Sequence, residues 1–408
     1  MIWEHLNDEL EALEAEGLTR RRRILDSACG PEAVVDGKTL VSFCSNDYLG
    51  LANDPSIAQA VANGALRWGA GSGASHLVSG HLRPHHQLEE ALAWFVGRQR
   101  ALYFSTGYMA NLGIVPALVG RGDAIFADKL NHASLIDAVQ LSRADSHRYP
   151  HLDLQALEKQ LAASTARRKM ILTDAVFSMD GDLAPLDALY ELAERYDTWL
   201  VIDDAHGFGV LGRDGMGSAE YWGLPPSPRV VYMGTLGKAA GVSGAFVAAS
   251  AKIIEMLLQK SRSYIFTTAS SPAIALGLLQ SLELIKAGES RREHLRSLIA
   301  RLRLGLEPLC QSTGWSLPES ITPIQPLVVG SNQATLALAR GLFERGFWVP
   351  AIRPPTVPKG QARLRISLSA AHSEVQVDAL VEALQALASL APPPQQQNKP
   401  AAVMEADS

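Results

Sequence analysis

Between about residue 100 and residue 250 the chain alternates short runs rich in β-branched and aromatic residues with stretches of helical periodicity. The runs cover 101–104, 124–127, 169–173, 199–203, 230–233 and 244–249. Strands separated by helices are joined by crossovers, and crossovers lay helices over both faces of a sheet. An α/β architecture with a mostly parallel sheet is therefore expected. In such sheets ligands gather outside the carboxyl ends of the strands, so residues just past each run are the first candidates for chemistry.

The flanks read differently. Trp3, Leu6, Leu10 and Leu13 recur at helical spacing among acidic residues, predicting an amphipathic helix that ends near Gly17 and needs something to pack on. After Ser271-Pro272 one long helical pattern runs to about Cys310. Strand-like runs follow at 325–329, 347–352 and 363–368, then a last helix over 373–390, which together suggest a smaller α+β domain. The expected division is 1–50 as N-terminal helix and arm, 51–283 as the large ligand-binding domain and 284–390 as the small domain. The low-complexity tail 391–408 is expected to be disordered. With 408 residues, 47% of them hydrophobic, there is material for more than one globular part.

Several function classes drop out. Lysine and arginine number 37 against 42 aspartates and glutamates, and no basic stretch is interleaved with aromatics, so nucleic acid is not an expected partner. There is no signal-peptide pattern and no apolar run long enough to span a bilayer, so no membrane association and a cytoplasmic location are expected. Cys29, Cys44 and Cys310 are widely spaced and form no C-x-x-C pair, which fits a reducing compartment. The run Arg20 to Arg23 reads by itself as a solvated basic face. His81, His85 and His86 invite a metal hypothesis, but Pro84 interrupts their helix and no nearby cysteine or acid completes the set. No metal is expected there, only a helix start with surface imidazoles.

Three glycine-containing motifs compete for the sheet edge. Gly207-Phe208-Gly209-Val210-Leu211-Gly212 fits the dinucleotide pattern of an oxidoreductase, yet it runs into the turn-rich Arg213-Asp214-Gly215-Met216-Gly217 where that pattern needs a helix. Gly69 to Ala74 fits loosely but follows a helical pattern, and reads as a flexible loop near a ligand. Gly234-Thr235-Leu236-Gly237-Lys238-Ala239 resembles a phosphate loop. Two residues lie between its glycines where four are required, and Ala239 replaces the hydroxyl that would hold magnesium. What remains is Lys238, past a strand end and among small residues that admit close backbone approach. A neighbouring run ends in Asp203-Asp204-Ala205-His206, bringing an acid and an imidazole to the same edge. A pyridinium cofactor that stores carbanion electrons needs a Schiff-base lysine, an anion at its ring nitrogen and a phosphate anchor, and all three can be nominated here.

Six ordered segments carry a family resemblance: Ser45-Asn46-Asp47-Tyr48-Leu49-Gly50, Ser105-Thr106-Gly107-Tyr108, Asn131-His132-Ala133-Ser134, Phe177-Ser178-Met179-Asp180-Gly181-Asp182, Asp203-Asp204-Ala205-His206-Gly207 and Thr235-Leu236-Gly237-Lys238. Over about residues 1–390 the chain resembles the α-oxoamine synthases, pyridoxal-phosphate enzymes of fold type I, the aspartate-aminotransferase type. Arg353-Pro354-Pro355-Thr356-Val357-Pro358 resembles the members that join L-alanine to a pimeloyl thioester, on acyl carrier protein or coenzyme A, with loss of carbon dioxide. Siblings such as glycine C-acetyltransferase use other amino acids and acyl chains. A non-catalytic scaffold subunit of the kind that pairs with some members is expected to lack the lysine, which this chain keeps. Asp174 stands where the family has a glutamate, and His76 interrupts the small-residue loop from Gly71 to Gly80.

The resemblance implies catalytic roles for Lys238 and His132. Lys238 is expected to carry pyridoxal 5'-phosphate and, once freed, to remove the Cα proton, tasks that suit a buried amine of lowered pKa. Asp203 is expected at the pyridine nitrogen; without the family it reads as a strand-end aspartate capping a turn. His132 is expected to stack on the ring and touch the substrate carboxylate, its plainer reading being a core histidine. His206 and Ser178 are assigned to the phenolic side of the cofactor, the plainer reading of His206 being merely a cap on the glycine turn. Gly107 and Tyr108 open the helix 107–118 and offer its N-terminus to the phosphate, with the Thr235 hydroxyl beside them. Thr267 and Thr268 resemble a segment donated by a second subunit, which makes a homodimer with shared active sites the expectation. Arg353 is expected to take the amino-acid carboxylate bidentately, and Arg21 and Thr356 to contact the acyl substrate, while Arg20, Arg22 and Arg23 steer it or stay solvated.

Overall fold

The computed structural model describes residues 2–15, 18, 19 and 22–389. Arg20, Arg21, the expected helix end at Gly17 and the tail 391–408 lie outside the described residues. Among the described residues the strands are β1 Glu32–Val35, β2 Lys38–Ser42, β3 Arg100–Phe104, β4 Ala124–Asp128, β5 Asp145–Tyr149, β6 Lys169–Asp174, β7 Trp199–Asp203, β8 Val230–Thr235, β9 Ala245–Ala249, β10 Ile324–Gly330, β11 Phe347–Trp348, β12 Ala351–Ile352 and β13 Ala362–Ser367. Seven of them form one sheet in the order β3-β9-β8-β7-β6-β4-β5. Pairing is parallel from β8 to β5, and β9 runs antiparallel to both its neighbours.

The six runs expected from the sequence are six of these seven strands. Their near-continuous apolar character follows from burial on both faces. Ile125, Leu172 and Val201 point into one core with Ile114 and Leu135, whereas their chain neighbours Phe126, Ile171 and Leu200 point into another with Leu157 and Leu189. Side chains alternate across the sheet, and here both sides are covered. The strand the sequence did not reveal is β5, an edge strand reading Asp145-Ser146-His147-Arg148-Tyr149 in which Tyr149 alone is buried. An edge facing water carries no apolar signature.

Helices over the sheet begin where side chains cap them. Thr106 accepts from Met109 N ahead of the helix Gly107–Leu118, and His132 accepts from Ser134 N ahead of Ala133–Ser142. The single helix expected from 272 to about 310 is instead two, Pro272–Lys286 and Glu289–Thr313. The break falls at Ala287-Gly288, glycine being a weak helix former, and the Ile285 carbonyl accepts from Gly288 N at 3.0 Å and from the buried Arg292 at 2.7 Å.

β1 and β2 form a hairpin to which β11 adds in parallel, Phe347 opposite Val41, so the N-terminal segment shares a sheet with the C-terminal part of the chain. The run expected at 347–352 divides at Val349-Pro350, where proline cannot extend a ladder: β11 joins that sheet, and β12 joins β13 and β10 in another. The N-terminal helix Ile2–Ala15 keeps its apolar stripe in solvent, with Trp3 71% exposed. The glycine run 207–217 is turn structure followed by a helix of only four residues, Ser218–Tyr221, so no dinucleotide-type helix start exists there. A Cβ at Gly207 would lie 2.2 Å from Asp204 Oδ1, so this glycine serves close packing on a buried acid. No described helix is long and apolar enough to cross a membrane.

Candidate active site

The carboxyl ends of β4, β6, β7 and β8 converge, and each delivers a polar group. Lys238 sits in the tight loop between β8 and β9, closed by Leu236 N to Gly244 O and Gly241 N to Lys238 O, both at 2.8 Å. Its Nζ lies 3.0 Å from His206 Nε2, and His206 Nδ1 lies 2.6 Å from Tyr48 Oη. Tyr48 Oη donates to Asn46 Oδ1 at 3.0 Å, and Arg365 Nη1 donates to the same oxygen at 3.3 Å. An amide oxygen can only accept and an ammonium can only donate, so this run has one direction. With Lys238 protonated, Nε2 accepts, Nδ1–H donates to Tyr48, and Tyr48 donates to Asn46. Burial, reinforced by the charges of Lys238 and Arg365, holds His206 well below the usual histidine range, so it stays a neutral relay. Burial also lowers Lys238 to about 8, against the opposing pull of Asp203 and Asp174.

A second run ties the acid to the other imidazole. Asp203 Oδ2 accepts from Asn111 Nδ2 at 2.7 Å and its Oδ1 from Ala205 N at 3.0 Å. Asn111 Nδ2 also reaches Ser134 Oγ at 2.9 Å, and Ser134 Oγ lies 2.7 Å from His132 Nδ1. Ser134 N also donates to that nitrogen, at 3.2 Å, so Nδ1 is the acceptor and Nε2 carries the proton. His132 is exposed, which sets aside the core-histidine reading. Its ring is nonetheless partly desolvated by the surrounding side chains, which keeps its pKa down despite the nearby Asp203. Asp174, level with Asp203 across the β6–β7 pair, holds His132 N at 2.7 Å. Burial and the Asp203 charge raise it well above the carboxylate range. The shorter acid is thus spent on fixing the His132 loop.

Gly107 and Thr235 meet: a Cβ on Gly107 would stand 2.7 Å from Thr235 Cγ2, while Thr235 Oγ1 donates to Ala205 O at 3.1 Å. The helix N-terminus is therefore packed against the end of β8. Tyr108, in the first turn, is exposed and its hydroxyl donates to Asp137. Ser178 enters through its backbone, its carbonyl accepting from Arg365 Nε at 2.6 Å. Other nominees are not joined to Lys238 by hydrogen bonds among the described residues. Thr268 bridges Ser75 instead, and Arg353 and Thr356 line a cavity of about 550 Å³ with Leu10 and Leu13 of the N-terminal helix.

Motif reading missed Tyr48, Asn46, Asn111, Ser134 and Arg365 as working parts. Two of them had a signal. Asn111 is the lone amide in the otherwise apolar helix Gly107–Leu118, and Arg365 alternates with Leu364 and Ile366 in a strand buried throughout. A polar group in such a place needs partners.

Pyridoxal 5'-phosphate fits this set. A buried amine faces a neutral imidazole, a carboxylate is aimed by an amide and a backbone N–H, an imidazole face is open, and a helix N-terminus lies against a threonine at the strand end. The comparisons agree. The family model for aminotransferase class I and II matches residues 38–384. The 8-amino-7-oxononanoate synthase of Herminiimonas arsenicoxydans is 65% identical over 390 residues, covering 95% of this chain and 100% of that one. A solved serine palmitoyltransferase with pyridoxal phosphate superposes with a TM-score of 0.88 at 29% identity, covering 95% of this chain and 98% of that one. A solved 8-amino-7-oxononanoate synthase from Francisella tularensis gives 0.74 at 32%, covering 86% and 98%. The chain belongs to the aminotransferase class I and II family of pyridoxal-phosphate enzymes and, within it, to the 8-amino-7-oxononanoate synthases.

Proposed function

We propose that the chain condenses L-alanine with a pimeloyl thioester, carried on coenzyme A or an acyl carrier protein, and releases carbon dioxide. The observation that carries this reading is the 3.0 Å contact of Lys238 with His206 beside Asp203, in a chain so similar to enzymes of that name. When bound, pyridoxal phosphate supplies an electron sink for the charge left at the amino acid's Cα. Lys238 would hold it by its amine, Asp203 would face its ring nitrogen, and His132 would lie against its ring. His206 and Ser178 would bind its phenolic side, and Gly107, Tyr108 and Thr235 its phosphate, with Thr267 and Thr268 contributed across a homodimer interface.

An amine with a pKa of about 8 is partly neutral near pH 7, so Lys238 can take the Cα proton. As the ammonium it is then held by His206 Nε2, whose lone pair is kept in place by the run through Tyr48 to Asn46. Arg353 takes the alanine carboxylate, and Arg21 and Thr356 the acyl substrate. Arg365 is a second candidate for the carboxylate, because its Nη1 donates to Asn46 Oδ1 at 3.3 Å, at the end of the run that leads through Tyr48 and His206 to Lys238. The exposed stripe Trp3, Leu6, Leu10 and Leu13 supports the homodimer, since it needs a cover. In this proposal residues 51–283 hold the cofactor, 284–390 close the substrate side, and a cytoplasmic setting suits free Cys29, Cys44 and Cys310.

The test sets L-alanine, glycine and L-serine each against pimeloyl, acetyl, succinyl and palmitoyl thioesters, following carbon dioxide release. Alanine with the pimeloyl thioester is expected to be fastest, and Lys238→Ala to abolish the reaction. Activity confined to glycine with the acetyl thioester would assign a glycine C-acetyltransferase and overturn the proposal.

A further inference from the structure

The absence of a metal among the histidines at 81–86 was expected on two grounds, and both change in the folded chain. Pro84 lies in the first turn of the helix Arg83–Phe95, where proline is tolerated, so it starts the helix instead of interrupting it. An acid is also at hand: Glu89 Oε2 lies 4.0 Å from His81 Nε2. His85 is not a surface imidazole. It is fully buried, its Nδ1 accepting from Leu82 N at 3.0 Å and its Nε2 donating to Ser270 O at 2.8 Å, so both nitrogens are in use.

We propose that His81, His86 and Glu89 form a binding site for a divalent transition-metal ion, zinc being the best suited. One ligand atom from each lies within 4.8 Å of the others. Tetrahedral zinc holds such atoms about 3.3 Å apart, given bonds of about 2.0–2.2 Å. Closing the set takes up to about 1.5 Å of side-chain movement, which the half-exposed His86, its Nε2 now 3.3 Å from Glu90 Oε1, can supply. The three residues line a cavity of about 510 Å³ that admits an ion and leaves room for water as a fourth ligand.

The surroundings orient the ligands. His81 Nδ1 lies 2.9 Å from His76 Nδ1, and the His76 ring stacks on Tyr264 with centroids 4.7 Å apart and planes 10° apart. Bound to the ion, His81 would coordinate through Nε2, which faces Glu89, and donate from Nδ1 to His76, an outer hydrogen bond that fixes the tautomer a metal requires. Glu89 Oε1 accepts from Tyr103 N at 2.9 Å and from the Tyr264 hydroxyl at 3.5 Å, which leaves Oε2 for the ion. Two imidazoles with one carboxylate suit zinc and its neighbours better than magnesium or calcium, which prefer oxygen alone.

The ion would act as a clamp. His81 follows the π-turn His76–Gly80, while His86 and Glu89 belong to the helix after it. The same neighbourhood reaches the cofactor end of the sheet, because Ser72 and His85 both bond Ser270 O, and Ser270 Oγ donates to Ser105 Oγ at 3.2 Å, two residues before Gly107.

The experiment uses the untagged full-length holoenzyme, stripped with a chelator and dialysed. Zinc is titrated against a chromophoric competitor, and cobalt is added in parallel to read its visible bands. One equivalent of zinc per chain and a raised melting temperature are expected. His76→Phe should weaken binding by about 10- to 100-fold, as loss of an outer orienting group does, and His86→Ala or Glu89→Gln by more. His86 is exposed, so His86→Ala should melt like wild type without zinc. Failure to bind one equivalent, or an affinity unchanged in both His81→Ala and His86→Ala, would overturn the proposal.

Discussion

His151 belongs to none of the motifs, yet it ties together two loops that carry site residues. Its Nδ1 lies 3.0 Å from Asp128 Oδ1 and its Nε2 2.7 Å from Asp182 Oδ2. Asp128 ends β4 and also accepts from Leu130 N and Leu152 N, shaping the approach to His132. Asp182 accepts through its carbonyl from Phe177 N and closes the turn that holds Ser178. Burial by itself lowers the His151 pKa, but the hydrogen bonds and charges of the two aspartates outweigh it and raise it from 6.5 to about 9. The folded chain therefore binds this proton more tightly than the unfolded chain. The stabilisation is complete below about pH 6.5 and is lost as pH rises toward 9. At 1.36 kcal/mol per pH unit it amounts to about 3 kcal/mol, and the ring is only 24% exposed, so solvent screens it little. His151→Gln removes the charge and keeps a polar side chain. In urea unfolding followed by circular dichroism, the variant should be less stable than wild type by about 3 kcal/mol near pH 6 and nearly equal to it near pH 9.5. A gap between the two proteins that stays constant or widens with pH would refute the reasoning.

Asn111→Leu strips Asp203 Oδ2 of its side-chain donor, which should cost about 1.5–3 kcal/mol and weaken pyridoxal phosphate binding, read by absorbance titration and urea unfolding. Gly107→Ala drives a Cβ to 2.7 Å from Thr235 Cγ2, so a loss of about 1–3 kcal/mol and poorer cofactor retention on gel filtration are expected. Adding Thr235→Ser removes that methyl and should recover part of both; no recovery would rule out the clash as the cause. Tyr48→Phe takes the acceptor from His206 Nδ1 in a fully buried setting. It should lower stability by about 1–3 kcal/mol and move the limb of the pH–rate profile that belongs to Lys238 away from about 8.

The sheet was legible in the sequence because burial on both faces forces unbroken apolar runs, and β5 was not, because an exposed edge needs none. The same physics divides the site. Lys238, Asp203, His206 and His132 stand at strand ends, where a motif can place them. Their supports come from far along the chain: Tyr48 lies 158 residues from His206, Asn111 lies 92 from Asp203, and Arg365 lies 187 from Ser178. No spacing rule connects such pairs. What the sequence does hold is the obligation of a buried polar group to find a partner, which marks Asn111 and Arg365 without naming what they bind. The histidines at 81–86 carry the point one step further. The i, i+4 interval drew attention to His81 and His85, but His85 has both nitrogens committed to the backbone. His86 and Glu89, three apart on the helix, share the face that looks toward His81. Spacing shows which side chains meet, and hydrogen-bond accounting shows which of them still has a lone pair to give.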